Sequence, residues 1–101
     1  MVIGRVRGTV VSTEKSPKLS GLKLLVVIPI DLDSFEEKGM PMVCIDTVGA
    51  GEGEVVMCVA GSSARQTERT KDLPCDNGIV AIIDHIDLRG KRIYEKFPKE
   101  V

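Results

Sequence analysis

The run from Gly49 to Glu54 is the part of this sequence that looks most like a chemical motif. Glycines at 49, 51 and 53 alternate with Ala50 and Glu52, as in loops that hold phosphate on backbone amides. A phosphate loop needs those amides at the start of a helix, whereas this run leads into a predicted strand and carries two carboxylates that repel phosphate. The run therefore predicts a tight connection in which glycine allows positive φ or close backbone approach.

His85 is the only histidine of the chain, which excludes metal sites built on several histidines. Asp84 and Asp87 lie near it on the same predicted strand, but the adjacent Asp84 points to the opposite face of the sheet. We therefore expect a partly exposed structural histidine and no metal site.

Three cysteines, Cys44, Cys58 and Cys75, occur without a C-x-x-C motif, and an odd number of this kind is typical of reduced thiols. Cys44 and Cys58 lie in apolar runs and are predicted to be buried and inert. Cys75 follows a proline in a polar segment and is the more exposed candidate. A cysteine–histidine pair remains open because such partners meet only in the fold.

Carboxylates are the remaining candidates for catalysis. Asp46, Glu52 and Glu54 could supply general acid–base pairs, but no constellation of a base with an orienting group stands out. The sequence therefore predicts no enzymatic activity, no catalytic residue and no cofactor.

The elements that must position these side chains are predicted to be strands. Val, Ile and Thr make up more than a quarter of the 101 residues, which favours β-structure in one small domain. The expected fold is an all-β, five-stranded OB-like barrel with one short helix, followed by a basic C-terminal tail at about 89–101. The predicted strands cover about residues 1–13, 22–31, 40–47, 54–60 and 79–88, with the helix at 62–69.

Two of the predicted strands are apolar on both faces. Residues 55–60 are all apolar, and in the second strand the face with Leu25 and Val27 is polar only at its ends. Pro29 predicts that this second strand is an edge or is broken near its end. A strand of a small antiparallel sheet normally alternates, so the outer faces need a cover from a helix or another subunit.

Charge patterning argues against nucleic acid and membrane as partners. The net charge is −1, with +4 in residues 1–30, −6 in 31–60 and +1 thereafter, so no basic stripe emerges. The longest apolar stretch, residues 24–30, is too short to span a bilayer. We expect a cytoplasmic protein.

Five segments, in a fixed order over most of the chain, resemble the EutN/CcmL family of bacterial microcompartment vertex proteins. The glycine run followed by Gly-Ser-Ser-Ala-Arg at this spacing is their most specific combination. The segments are Gly4-x-Val6-x-Gly8-Thr9-Val10-Val11, Leu19-x-Gly21-x-Lys23-Leu24-Leu25, Asp46-x-Val48-Gly49-Ala50-Gly51-x-Gly53-Glu54-Val55-Val56, Gly61-Ser62-Ser63-Ala64-Arg65 and Ile82-Ile83-Asp84-x-Ile86.

The resemblance implies an OB-like barrel, five copies of which form a ring at the vertices of a polyhedral protein shell. The flat facets of the shell are built from a different, hexamer-forming family. On this interpretation the chain is a structural homo-oligomer that contacts hexameric shell proteins in the cytoplasm.

Polarity then predicts which residues contact neighbouring subunits or the five-fold axis. Arg65 either bridges to an acid of a neighbouring subunit or belongs to a capped surface helix. The alternative functions are an OB-like binding module for a small ligand or single-stranded nucleic acid, and a small enzyme subunit. The candidate contact residues are Leu25, Val27, Gly49, Ala50, Gly51, Glu52, Gly53, Val56, Ser62, Ser63 and Arg65.

Overall fold

The computed structural model describes residues 1–13, 17, 21–60 and 77–97, and within them the chain forms eight β-strands. The predicted helix at 62–69 and Cys75 lie outside the described residues. The strands are β1 (Val2–Val10), β2 (Lys23–Asp31), β3 (Glu36–Glu37), β4 (Met42–Asp46), β5 (Val55–Ala60), β6 (Asn77–Ile82), β7 (His85–Leu88) and β8 (Lys91–Glu95).

Five of these strands close into a barrel. The order around the sheet is β1-β5-β6-β4-β2, and β1 also pairs with β2, which closes the circle. All of these pairings are antiparallel except β4 with β6, which is parallel. The all-β fold and the five-stranded barrel predicted from the sequence are confirmed.

The barrel core consists of aliphatic side chains and two thiols. Alternation in β1 places Gly4 and Val6 inside while Arg7 is exposed, as a half-buried strand requires. The buried cluster comprises Val6, Leu25, Val27, Cys44, Ala50, Val56, Cys58 and Ile79.

At Gly4, β1 and β2 approach each other too closely for a side chain. A Cβ atom built there would lie 2.5 Å from Val27 Cγ1 and 2.9 Å from the carbonyl oxygen of Ile28. Any side chain would therefore push the two strands apart, which explains why glycine occupies this buried position.

Pro29 lies within β2, which is not an edge strand, because β1 pairs with it on one side and β4 and β3 pair on the other. The pairing with β4 stops at Val27, and the pairing with β3 begins at Ile30. The Pro29 carbonyl accepts a hydrogen bond from the backbone N–H of Lys38. Proline thus lies at the break between two partners, where the pairing is already interrupted and a missing N–H is tolerated.

The predicted last strand, 79–88, is two strands. β6 ends at Ile82, and the N–H of Ile83 donates to the carbonyl of Val55 at 2.8 Å, after which the chain leaves the barrel. β7 then pairs with β8 as a separate hairpin. Arg89 (φ 52°) and Gly90 (φ 77°) form its two-residue turn, whose positive φ values match the twist of a tight hairpin. The segment predicted as a basic tail therefore contributes a strand.

Candidate functional site

The connection between β4 and β5, residues 47–54, is called the glycine loop below. It follows Asp46, the last residue of β4, which is 5% exposed. Asp46 Oδ1 accepts hydrogen bonds from the backbone N–H groups of Val48 (3.0 Å) and Gly49 (3.1 Å). An aspartate that binds backbone amides two and three residues later fixes the first turn of a loop.

The middle of the glycine loop is held against the barrel. Ala50 is fully buried in the core cluster. The Nζ of Lys23 donates to the Ala50 carbonyl at 3.1 Å. The loop therefore packs against the core through the Ala50 side chain, and a hydrogen bond from Lys23 holds its backbone in place.

Glu54 closes the loop with both carboxylate oxygens. Its Oε1 accepts the backbone N–H of Gly51 at 2.6 Å, and its Oε2 pairs with the ammonium of Lys96. Lys96 first, and the amide of Gly51 second, hold the pKa of Glu54 below its usual range, because both stabilise the charged form. The N–H of Gly53 also donates to the carbonyl of Val6 at 2.8 Å.

Arg5 connects the glycine loop to the hairpin. Its Nη1 donates to the Gly53 carbonyl at 2.8 Å. Its guanidinium carbon also lies 5.7 Å from the ring centroid of Phe35 and 5.9 Å from that of Tyr94. The two rings stack at 5.5 Å and 18°. One cation thus joins β1, the glycine loop, the turn at 35 and β8.

The predicted tight connection with positive φ is confirmed. Gly49 and Gly53 have φ values of 77° and 87°, a region that favours glycine. The loop presents Glu52 and Val48, which is 39% exposed, to solvent. Among the described residues, no group of three or more histidine, cysteine, aspartate or glutamate side chains could hold a metal ion. The anchored loop is therefore a fixed and partly exposed surface of the barrel.

The structure separates the candidate contact residues into three groups. Gly49, Gly51, Glu52 and Gly53 lie together on the glycine loop and are at least partly exposed. A second group is buried in the chain's own core: Leu25, Val27, Ala50 and Val56, all 0–1% exposed. The third group, Ser62, Ser63 and Arg65, lies outside the described residues.

The prediction that the Leu25–Val27 face of β2 points outward is therefore wrong, and so is the outward placement of Val56. Residues opposite each other on paired strands share a face, and Val27 lies opposite Val6. Since Val6 is inside, Val27 and Leu25 are inside as well. Both faces of β2 are apolar, so alternation alone carries no information on which one is buried.

The opposite faces carry the apolar surface that sequence reasoning missed. On β2, Leu24, Val26 and Ile28 remain partly exposed. Val26 lies opposite Val43 of β4, which is 51% exposed. These four residues are called the outer apolar face below. The strand register, which places Val26 against Val43, is the signal that would have found it.

On β5, the chain itself covers part of the outer face. Val55 is fully buried, and its carbonyl accepts the N–H of Ile83 where the chain leaves β6. Met57 and Val59 remain partly exposed. The expected cover for this strand is thus supplied by the same chain at one end.

Known proteins match nearly the whole chain. Residues 1–84 match the sequence model of the family described as ethanolamine utilisation protein EutN/carboxysome. The microcompartment shell vertex protein GrpN of Rhodospirillum rubrum is 45% identical over 86% of this chain and 97% of its own length. The shell vertex protein EutN of Salmonella typhimurium is 38% identical over 95% of this chain and 96% of its own length.

Solved structures agree with these sequence matches. The structure of CcmL from Nostoc sp. PCC 7120 superposes with a TM-score of 0.88 at 43% identity, covering 95% of this chain and all of that one. The GrpN pentameric microcompartment shell protein superposes with a TM-score of 0.78 at 44% identity, covering 87% of this chain and 99% of its own. Among the described residues, no helix is long and apolar enough to cross a membrane.

Proposed function

This chain belongs to the EutN/CcmL family, and from that membership we propose that it is a structural protein of a bacterial microcompartment shell. In this role five copies form a ring that occupies a vertex of the shell, in the cytoplasm. The observation that carries the proposal is the match to a pentameric shell protein. That protein is 44% identical to this chain, and the match covers 99% of its length. The protein is not an enzyme, in keeping with relatives that are named as shell vertex proteins.

Geometry explains what such a ring contributes. A closed polyhedron tiled by hexagons needs pentagons at its corners, so a five-fold ring supplies curvature and no chemistry. Contacts within a ring run head to tail, and therefore two different patches of each subunit must fit each other. Hexameric shell proteins are the partners expected along the outside of the ring.

The outer apolar face and the glycine loop are our candidates for the two patches. Val43 is half exposed and continues the apolar surface of β2. Such a patch gains stability when a second copy removes it from water. The glycine loop offers the other kind of surface, a rigid backbone with Glu52 at its exposed side, fixed by Asp46, Lys23 and Glu54 before any partner arrives.

Mass measurement of the purified protein tests the ring. Native mass spectrometry or light scattering should give a particle of five times the 11.0 kDa chain. A monomer at micromolar concentration would contradict the proposal. Retention on single-stranded DNA that weakens with salt would instead favour a nucleic-acid-binding module.

A substitution tests the outer apolar face separately. Val43→Asp places a charge where a neighbouring subunit is expected to exclude water, so the pentamer should dissociate. Val11→Asp is the matched control, because Val11 is 88% exposed and lies beyond the end of β1. An intact Val43→Asp pentamer would remove this face from the interface while leaving the proposed ring in place.

A further inference from the structure

Two thiols meet inside the barrel and have no part in a shell role. The Sγ atoms of Cys44 on β4 and Cys58 on β5 are 3.8 Å apart. Both cysteines are free, and their exposed fractions are 0% and 2%. Cys44 and Cys58 are members of the same core cluster, so their side chains point toward each other across the interior.

The strands that carry these thiols lie on either side of β6, whose pairing with β4 is the shortest in the barrel. β6 lies between β4 and β5 in the sheet order. It pairs with β5 over five residue pairs but with β4 over only two, Ile45 with Gly78 and Asp46 with Ile79. This short pairing is called the β4–β6 seam. Beside it, the Thr47 hydroxyl donates to the Ile79 carbonyl at 2.7 Å. A covalent bond from Cys44 to Cys58 would span the seam from one side to the other.

We propose that Cys44 and Cys58 are a redox-responsive dithiol, which a low-molecular-weight disulfide of the glutathione type oxidises to a disulfide that staples the β4–β6 seam. The bond requires the sulfur atoms to approach from 3.8 Å to about 2.05 Å. They already touch, so side-chain rotation and a small strand shift supply the difference. The disulfide would close a covalent ring over residues 44–58, which includes the whole glycine loop.

The reaction proceeds in two exchange steps. One cysteine thiolate attacks the small disulfide, forms a mixed disulfide and releases one thiolate, which takes up the proton that the cysteine lost. The second cysteine sulfur then attacks the mixed disulfide, forms the Sγ–Sγ bond and releases the second small thiol. Two protein thiols are oxidised while one small disulfide is reduced to two thiols.

Burial makes the exchange depend on opening of the seam. The hydrogen bond with Cys44 and the apolar surroundings raise the pKa of Cys58, and a small disulfide cannot enter the closed core. Thiolate is the reacting species, so oxidation proceeds only in molecules whose seam has opened. The same burial protects the finished bridge from reductant while the barrel is closed.

Peptide mapping tests the bridge directly. In a Cys75→Ser background, which leaves only these two thiols, the assembled protein is incubated with oxidised glutathione at a temperature just below its unfolding transition. Trypsin then releases residues 39–65, which contain both cysteines and no internal Lys or Arg. We expect this peptide to lose the mass of two hydrogen atoms. Cleavage after Glu52 and Glu54 should leave its halves joined until reductant is added.

A Cys44→Ser variant in the same background is the matched control and should show no such mass loss. The stabilisation that the disulfide provides is measured by thermal unfolding. A bridge around a loop of this size should raise the thermal midpoint by about 10 °C or more, and reductant added during unfolding should reverse the gain. Two intact thiols after incubation, a stable mixed disulfide, or a bridge that leaves the midpoint unchanged would each overturn the proposal.

Discussion

Replacing Gly4 by alanine should destabilise the barrel, although the change adds a single methyl group. The new Cβ would lie 2.5 Å from Val27 Cγ1, 2.9 Å from the Ile28 oxygen and 3.3 Å from the Ile28 carbonyl carbon. Val27 is fully buried, so its side chain has no free space to move into. The other two atoms belong to the backbone, so relief requires a shift of β1 against β2.

The magnitude follows from two opposing effects. Overpacking of a tight core costs about 1–3 kcal/mol. Replacing glycine by alanine also restricts the unfolded chain, which returns about 0.4–1 kcal/mol where the backbone allows it. We therefore expect Gly4→Ala to lower the free energy of unfolding by about 1–2 kcal/mol and the thermal midpoint by about 5–15 °C.

Gly8→Ala provides the matched control on the same strand. A Cβ at Gly8 meets only the Val26 side chain, at 3.7 and 3.8 Å, and Gly8 does not have positive φ. Its free energy of unfolding should stay within about 0.5 kcal/mol of the parent or rise slightly.

The assay is denaturant unfolding of the parent and both variants at one subunit concentration, because assembly makes stability depend on concentration. The denaturant midpoints of the three proteins report stability directly if the free energies of unfolding fall with denaturant at the same slope. Equal midpoints for the two variants would refute the reasoning, since only the methyl group added at Gly4 would lie within 3.4 Å of other atoms.

Two further predictions concern the anchors of the glycine loop. Glu54→Gln keeps an oxygen for the Gly51 amide but loses the ion pair with Lys96, so it should lower the thermal midpoint at pH 7. Because the pKa of Glu54 is lowered in the fold, the stabilisation is present above the unfolded value and fades as pH falls through the folded one; a parent–variant difference that stays constant from pH 7 to pH 3 would contradict this. Arg5→Leu removes the hydrogen bond to the Gly53 carbonyl and the contact with two stacked rings, and should cost about 1–2 kcal/mol in denaturant unfolding. Arg7→Leu, which breaks only an exposed pair, should change stability much less, and equal losses for the two variants would count against the anchoring role of Arg5.

The sequence carries enough information to predict most of the barrel. The strands β1, β2, β4 and β5 all fall within predicted segments, because alternation or continuous apolar runs with glycine breaks define them. The glycine loop could also be predicted, since glycine spaced by two residues before a strand indicates a connection that needs positive φ.

The register of the barrel could not be predicted. The segment between β1 and β2 is long, so no tight turn fixes which residues lie opposite each other. Leu25 and Val27 are as apolar as Leu24 and Val26, and only pairing with Val6 places them inside. The candidate contact surface was misplaced for this reason.

The end of β6 had no sequence signal either. Neither Ile83 nor Asp84 is a glycine or proline that would end a strand. The N–H of Ile83 still bonds to the Val55 carbonyl in register with the β5–β6 pairing, and the chain then turns into the separate β7–β8 hairpin, which local pattern cannot show. β3 has only two residues, too few for any period to be read.

The parallel pairing of β6 with β4 has a consequence for the order of events during synthesis. Residues 45–46 meet residues 78–79, and β6 is the strand that joins β5 to β4 and completes the circle. The barrel therefore cannot close on a ribosome until residue 79 and the strand around it have left the exit tunnel. A contact so distant along the chain is also slow to form, because bringing its two ends together costs chain entropy. Nascent chains that stop short of β6 expose the core, so the outer surface of the closed barrel forms only after Asn77–Ile82 has been translated.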